Sequence, residues 1–139
     1  MSSIDLSHFH TAQAPVWDRV LAELRAGRKR THWSWFVFPQ LAGLGHSETA
    51  QFYALHSVEE ARAWLVDPVL GPRLFAALDA LLASGRSATS VLGTVDAMKL
   101  RSCLTLFLAA APDDSRLVDA MDTLIDGQPD PLTLGLLRR

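Results

Sequence analysis

An all-α fold is what this sequence predicts, and three observations predict it. Helix punctuation is dense along the chain, the period-two alternation of strands is nearly absent, and one long segment, 94–111, is apolar almost all round in its second half. The chain has 139 residues, enough for a single domain with one core. We expect about six or seven helices, with residues 95–111 as the central one and no internal domain boundary.

The elements follow in order. Pro15 suits a first helical turn. Trp17, Val20, Leu21 and Leu24 then recur at helical spacing until Gly27 offers a C-terminal cap. Arg19 and Glu23 have the spacing of a pair on the solvent side of that helix. His32 to Val37 reads as a short helix, because Pro39 disfavours helical geometry at Phe38. Ser47 can cap a helix through Tyr53, with Glu48 near its positive end. In "SVEE", Ser57 and Glu60 have the spacing of a capping box, and Asp67 closes the helix they start. Asp67-Pro68 opens the next, whose stripe is Leu70, Leu74, Leu78, Leu81 and Leu82. Thr94 begins the central helix, with Leu100, Cys103, Leu104, Phe107 and Leu108 on its apolar face. Asp114 to Ile125 forms a further amphipathic helix ended by Gly127, and Asp130-Pro131 repeats the acceptor-and-proline start.

Composition narrows the function. A hydrophobic share of 49% and a charged share of 20% are those of an ordinary globular protein. A net charge of -2 provides no general attraction to nucleic acid. The cationic run Arg25, Arg28, Lys29 and Arg30 lacks a recognition-helix setting, so it reads as solvated charge. The lone Cys103 cannot form an internal disulfide and reads as an inert buried thiol. His8, His10, His32, His46 and His56 show no metal-ligand spacing, so no metal and no cofactor is expected. No apolar run is long enough for a membrane span, and residues 1–10 have no apolar signal region. We therefore expect a cytoplasmic protein.

The block "RKRTHWSWFVFPQLAGLGHSETA" carries what functional signal there is. Trp33, Trp35, Phe36 and Phe38 crowd together between a basic run and a glycine-containing loop. In one reading they are core, since each large ring buries about 150–250 Å². In the other, Trp33 or Trp35 is a stacking wall beside Lys29, His32 and Gln40. Gly43, Gly45, Ser47 and Glu48 form a glycine-to-helix junction of the kind that binds anions, although Glu48 would repel a phosphate and favour a ligand with hydroxyls. Arg73, among the small residues Val69, Ala77 and Ala80, has room for its guanidinium. Lys99 and Ser102 share a helical face, with Asp96 one turn before. If that face turns to the aromatic block, Arg73 and Lys99 make a cationic pocket beside indole, suited to a nucleotide, sugar phosphate or other planar anion. His32 and Glu48 are the candidate proton-handling groups. No nucleophile motif or Ser/His/Asp arrangement names a reaction.

The segments "AQAPVWDRVLAELRAGRKRTHWSWFVFPQLAGLGHSETAQFYAL", "SVEEARAWLVDPVLGPRL" and "DAMKLRSCLTLF" resemble the bacterial domain-of-unknown-function family 1810, some of whose members carry a calpastatin label. The resemblance covers residues 6 to 137, and "HWSWFVFPQLAGLG" is its specific part. It implies an all-helical single domain and supplies no activity. Departures are mild: Ser34 stands where methionine is usual, Trp17 and Trp64 where tyrosine is common, and Phe52 where arginine often sits. Two functions stay open. One is a pocket protein, catalytic or not, for a small anionic nucleotide- or ADP-ribose-like ligand. The other is a non-enzymatic protein-interaction or structural module, with the aromatic block buried and the basic run as a contact patch.

Overall fold

A computed structural model describes residues 4–139. Among these the structure is all-helical, with ten helices: α1 (Ser7–Gln13), α2 (Trp17–Arg25), α3 (Ser34–Val37), α4 (Glu48–Phe52), α5 (Val58–Val66), α6 (Leu70–Ala83), α7 (Ala88–Leu92), α8 (Thr94–Ala110), α9 (Ser115–Leu124) and α10 (Pro131–Leu137). The count exceeds the expected six or seven. The unforeseen elements are α1, preceded by Leu6, which offers no side-chain cap, and the five-residue α7, too short to show a helical period. No helix is long and apolar enough to cross a membrane among the described residues.

Local chemistry sets most of the helix ends. The side chains of Ser47, Ser57, Asp114 and Asp130 each accept a backbone N–H of the first turn that follows. Glu60 reaches back to the N–H of His56 at 2.7 Å, one residue before the position a standard capping box would use. The carboxylate of Asp67 accepts the N–H groups of Val69 and Leu70, both at 2.9 Å, and receives His10 Nε2 at 2.8 Å. Gly71 is needed at the α5–α6 corner, where a Cβ would strike the carbonyl oxygen of Leu65.

Helix α8 is the hub and packs on α5, α7, α9 and α10. Its Leu100, Cys103, Leu104, Leu106 and Phe107 are fully buried, which explains the near absence of a polar face in its second half. Burial raises the Cys103 thiol well above its ordinary pKa, so it stays protonated and unreactive. Helix α6 packs on α2, α5 and α9 to close the other side of the core. Between α3 and α5 the chain makes a single parallel bridge at Leu41 and Leu55, with Ala42 N–H donating to Leu55 at 2.7 Å and Leu55 N–H to Gln40 at 2.9 Å. That bridge anchors the strap of residues 40–45, whose Gln40, Leu44 and Gly45 share a groove with the first half of α8.

Glu23 corrects the sequence expectation. It does not lie on the solvent side of α2 paired with Arg19; it is 8% exposed and turned inward. Oε1 accepts the N–H of Arg30 at 2.8 Å, the N–H of Thr31 at 3.0 Å and Trp33 Nε1–H at 3.0 Å, and Oε2 accepts the Thr31 hydroxyl at 2.7 Å. Burial opposes its ionisation, but these donors outweigh burial and hold its pKa down at about 2. The basic turn after α2 is thus folded around one carboxylate.

Candidate anion-binding cleft

The Glu23-centred turn delivers Lys29 to the start of α8. Lys29 N–H donates to the Val91 carbonyl of α7 at 2.8 Å, tying the turn to the two helices that meet at Gly93. Gly93 has φ 87°, a left-handed conformation that glycine adopts without strain, and it makes the sharp entry into α8. Because Gly93 has no side chain, α8 begins without a side-chain cap. Its first-turn N–H groups carry the positive end of a 17-residue helix.

Two lysines converge there on one carboxylate. Lys29 Nζ lies 2.8 Å from Asp96 Oδ2, and Lys99 Nζ lies 3.4 Å from Asp96 Oδ1. The Lys29 side chain is only 6% exposed, and its ammonium lies 5.0 Å from the Trp33 ring centre. Lys99 lies over Trp35 at 4.3 Å. Burial pushes the Asp96 pKa up, but the two ammonium groups outweigh it and leave it below the ordinary carboxylate value. Two cations against one anion leave positive charge over, next to a helix N-terminus.

These groups line a cleft of about 380 Å³ whose wall is made by Lys29, His32, Ser34, Trp35, Leu92, Gly93, Thr94, Val95, Asp96 and Lys99. His32 stands exposed at its rim and Trp35 is half-buried. Ser34 is 1% exposed, and its hydroxyl has no hydrogen-bond partner. A buried hydroxyl without a partner is costly, and this one lies behind the cleft wall, where a small movement of the side chain would turn it toward a bound anion.

The other residues singled out from sequence fall elsewhere. Trp33 is no stacking wall: it is 1% exposed, because its indole N–H is drawn inward to Glu23. Arg73 does not join Lys99. It stacks on Trp17 at 5.3 Å and donates to Gln13 Oε1 at 3.3 Å, so α1 and α2 fill the space its small neighbours leave. Ser47 is spent on capping α4 through the N–H of Ala50, and Glu48 is exposed on that helix without a cationic or aromatic partner from the cleft. Gln40 and Ser102 line an adjoining groove, to which Lys99 also contributes. Sequence reasoning missed Ser34 and Gly93 as cleft residues. The departure from methionine at position 34 was a signal, since a serine inside an aromatic block needs a partner for its hydroxyl. No group of three or more His, Cys, Asp or Glu side chains among the described residues is arranged to hold a metal.

Comparison with known proteins now adds the family. A family model described as "Protein of unknown function (DUF1810)" matches residues 3–137. The chain belongs to that family. Among solved structures, this DUF1810 chain is similar to the conserved hypothetical protein Rv1873 from Mycobacterium tuberculosis. Sequence identity is 45%, 97% of each chain is covered, and the TM-score is 0.93. No curated protein matches the sequence. The DUF1810 assignment agrees with the all-α architecture and, like the cleft geometry, names no reaction.

Proposed function

We propose that this protein binds a small anionic ligand of the nucleotide or ADP-ribose class in the cleft between the basic turn, α3 and the start of α8. The observation that carries the reading is the convergence of Lys29 and Lys99 on Asp96 at an uncapped helix N-terminus, beside the unpartnered Ser34 hydroxyl. A phosphate oxygen there would accept from first-turn N–H groups, from Ser34 and from the lysines, the arrangement by which helix N-termini hold phosphates. The half-buried Trp35 offers the only indole of the cleft wall to a planar base. His32, at the rim, is placed to hydrogen-bond ribose hydroxyls or to exchange a proton with the ligand.

Thermal unfolding and calorimetric titration with inorganic phosphate, AMP, ADP and ADP-ribose test the reading. At a ligand concentration of about 100 Kd the protein should gain roughly 2.7 kcal/mol of stability. Binding should weaken as salt is raised. Asp96→Asn removes the competing anion while keeping a hydrogen-bond acceptor for the lysines, so it should tighten phosphate ligands about fivefold, worth ~1 kcal/mol. Unchanged melting across the whole panel, with no heat of binding, would overturn the proposal and favour a non-enzymatic interaction or structural module.

A further inference from the structure

Immediately beyond Lys99 lies a second groove, of about 270 Å³, between α8, the 40–45 strap and the start of α10. Its apolar part is unusually open. Val95 is 68% exposed, Met98 62% and Leu132 70%, and all line the groove. Arg101 lies within this apolar setting. Its Nε is sealed from solvent and has no hydrogen-bond partner, and no carboxylate lies within ion-pair distance of the guanidinium among the described residues.

The acidic residue on the groove wall, Asp130, uses one carboxylate oxygen to cap α10 and forms no ion pair with Arg101. Asp130 Oδ2 accepts the N–H of Thr133 at 3.0 Å and the hydroxyls of Thr133 and Ser102, which fixes the start of α10. The terminal N–H groups of the guanidinium are not among the sealed atoms and make no ion pair among the described residues, so an acceptor entering the groove can reach them where it cannot reach Nε.

We propose that this groove binds a compact carboxylic acid, its apolar body on Val95, Met98 and Leu132 and its carboxylate on the Arg101 fork. The chemistry selects this class. A planar carboxylate matches the guanidinium bidentately. The apolar wall favours a hydrocarbon or aromatic body over a hydrophilic phosphoester, and the single negative charge minimises repulsion from Asp130. Lys99 lines the opposite side of the groove, two residues from Arg101 on α8, and is held by Asp96 and Trp35. The volume falls just below the usual range of about 300–1,000 Å³ for ligand sites, so the body is short. This inference stands independently of nucleotide binding, since it uses a different groove and a different unsatisfied group.

The test uses the full chain with carbon-13-labelled methionine methyls, titrated into the millimolar range with hexanoate and phenylacetate, and with hexanamide and phenylacetamide as neutral matches. The Met98 methyl resonance should shift saturably with the acids and not with the amides. Arg101→Met, which keeps the apolar stem and removes the fork, should weaken the acids about tenfold. Shifts of equal size with acid and amide would overturn the proposal, as would no Met98 shift with either acid, or undiminished acid binding by the variant. If Arg101→Met does not fold, the comparison of acid and amide on the unmodified chain decides alone.

Discussion

Replacing Glu23 with Gln should lower stability by about 3 kcal/mol at neutral pH, seen as a fall of roughly 10 °C in Tm. Gln has nearly the shape of the protonated acid, so the substitution removes the charge and little else. The native pKa is held from an ordinary 4.5 down to about 2, and that depression corresponds to about 3 kcal/mol. The sign follows from proton counting. Between these two values the unfolded chain binds more protons than the native one, so the stabilisation is complete above the unfolded value and is lost as pH falls through the native value. Urea unfolding of both proteins should therefore give curves that converge on acidification, because the variant lacks this titration. A gap that stays constant with pH would mean that the variant is weakened by packing alone, and the four-donor account of the turn would fail. Trp33→Phe, which removes one donor from Glu23 and keeps an aromatic ring, should narrow the pH-dependent part and leave most of it.

The helix boundaries were the part of this fold that could be read from residues in order. Ser47, Ser57, Asp114 and the Asp130-Pro131 pair act on amides two or three positions away, so sequence proximity is sufficient to see them. The burial of α8 was legible because its second half lacks a polar face. Glu23 was not legible, because the spacing to Arg19 describes a surface pair equally well; only the return of residues 30–33 over α2 turns the carboxylate inward. Trp33 and Trp35 make the same point. They are two residues apart and alike in chemistry, yet one is drawn to Glu23 in the core and the other lies under Lys99 at a cleft. What separates them is the direction of the short α3, which no local pattern encodes. Arg73 failed for the opposite reason. Small neighbours were read as space for a ligand, whereas Trp17 and Gln13 occupy it. The Lys29–Asp96–Lys99 cluster needed both a local pair, which was visible, and a contact across the chain, which was not.

Removing both cations from that cluster should weaken phosphate-bearing ligands about 100-fold, since each charge-assisted hydrogen bond to an anion contributes roughly 1.5 kcal/mol. A simple Lys29→Met change would confound binding with folding. The Lys29 side chain is buried, and Asp96 would keep only its longer contact with Lys99, so the single variant should lose about 2 kcal/mol of stability as a partly buried carboxylate loses its better partner. Pairing it with Asp96→Asn removes the stranded charge and should bring melting back close to the original. In that background Lys99→Met, on the more exposed side of the cluster, completes the loss of positive charge. The triple variant should melt within about 1 kcal/mol of the original protein, while its affinity for ADP falls about 100-fold below that of Asp96→Asn alone, roughly 20-fold below the original, and loses its salt dependence. The decisive comparison is between charge and scaffold. If Lys29→Met with Asp96→Asn restores stability yet the triple variant still binds ADP at full strength, then the lysines are a structural clamp between the basic turn and α8, and the anion-binding proposal for this cleft falls.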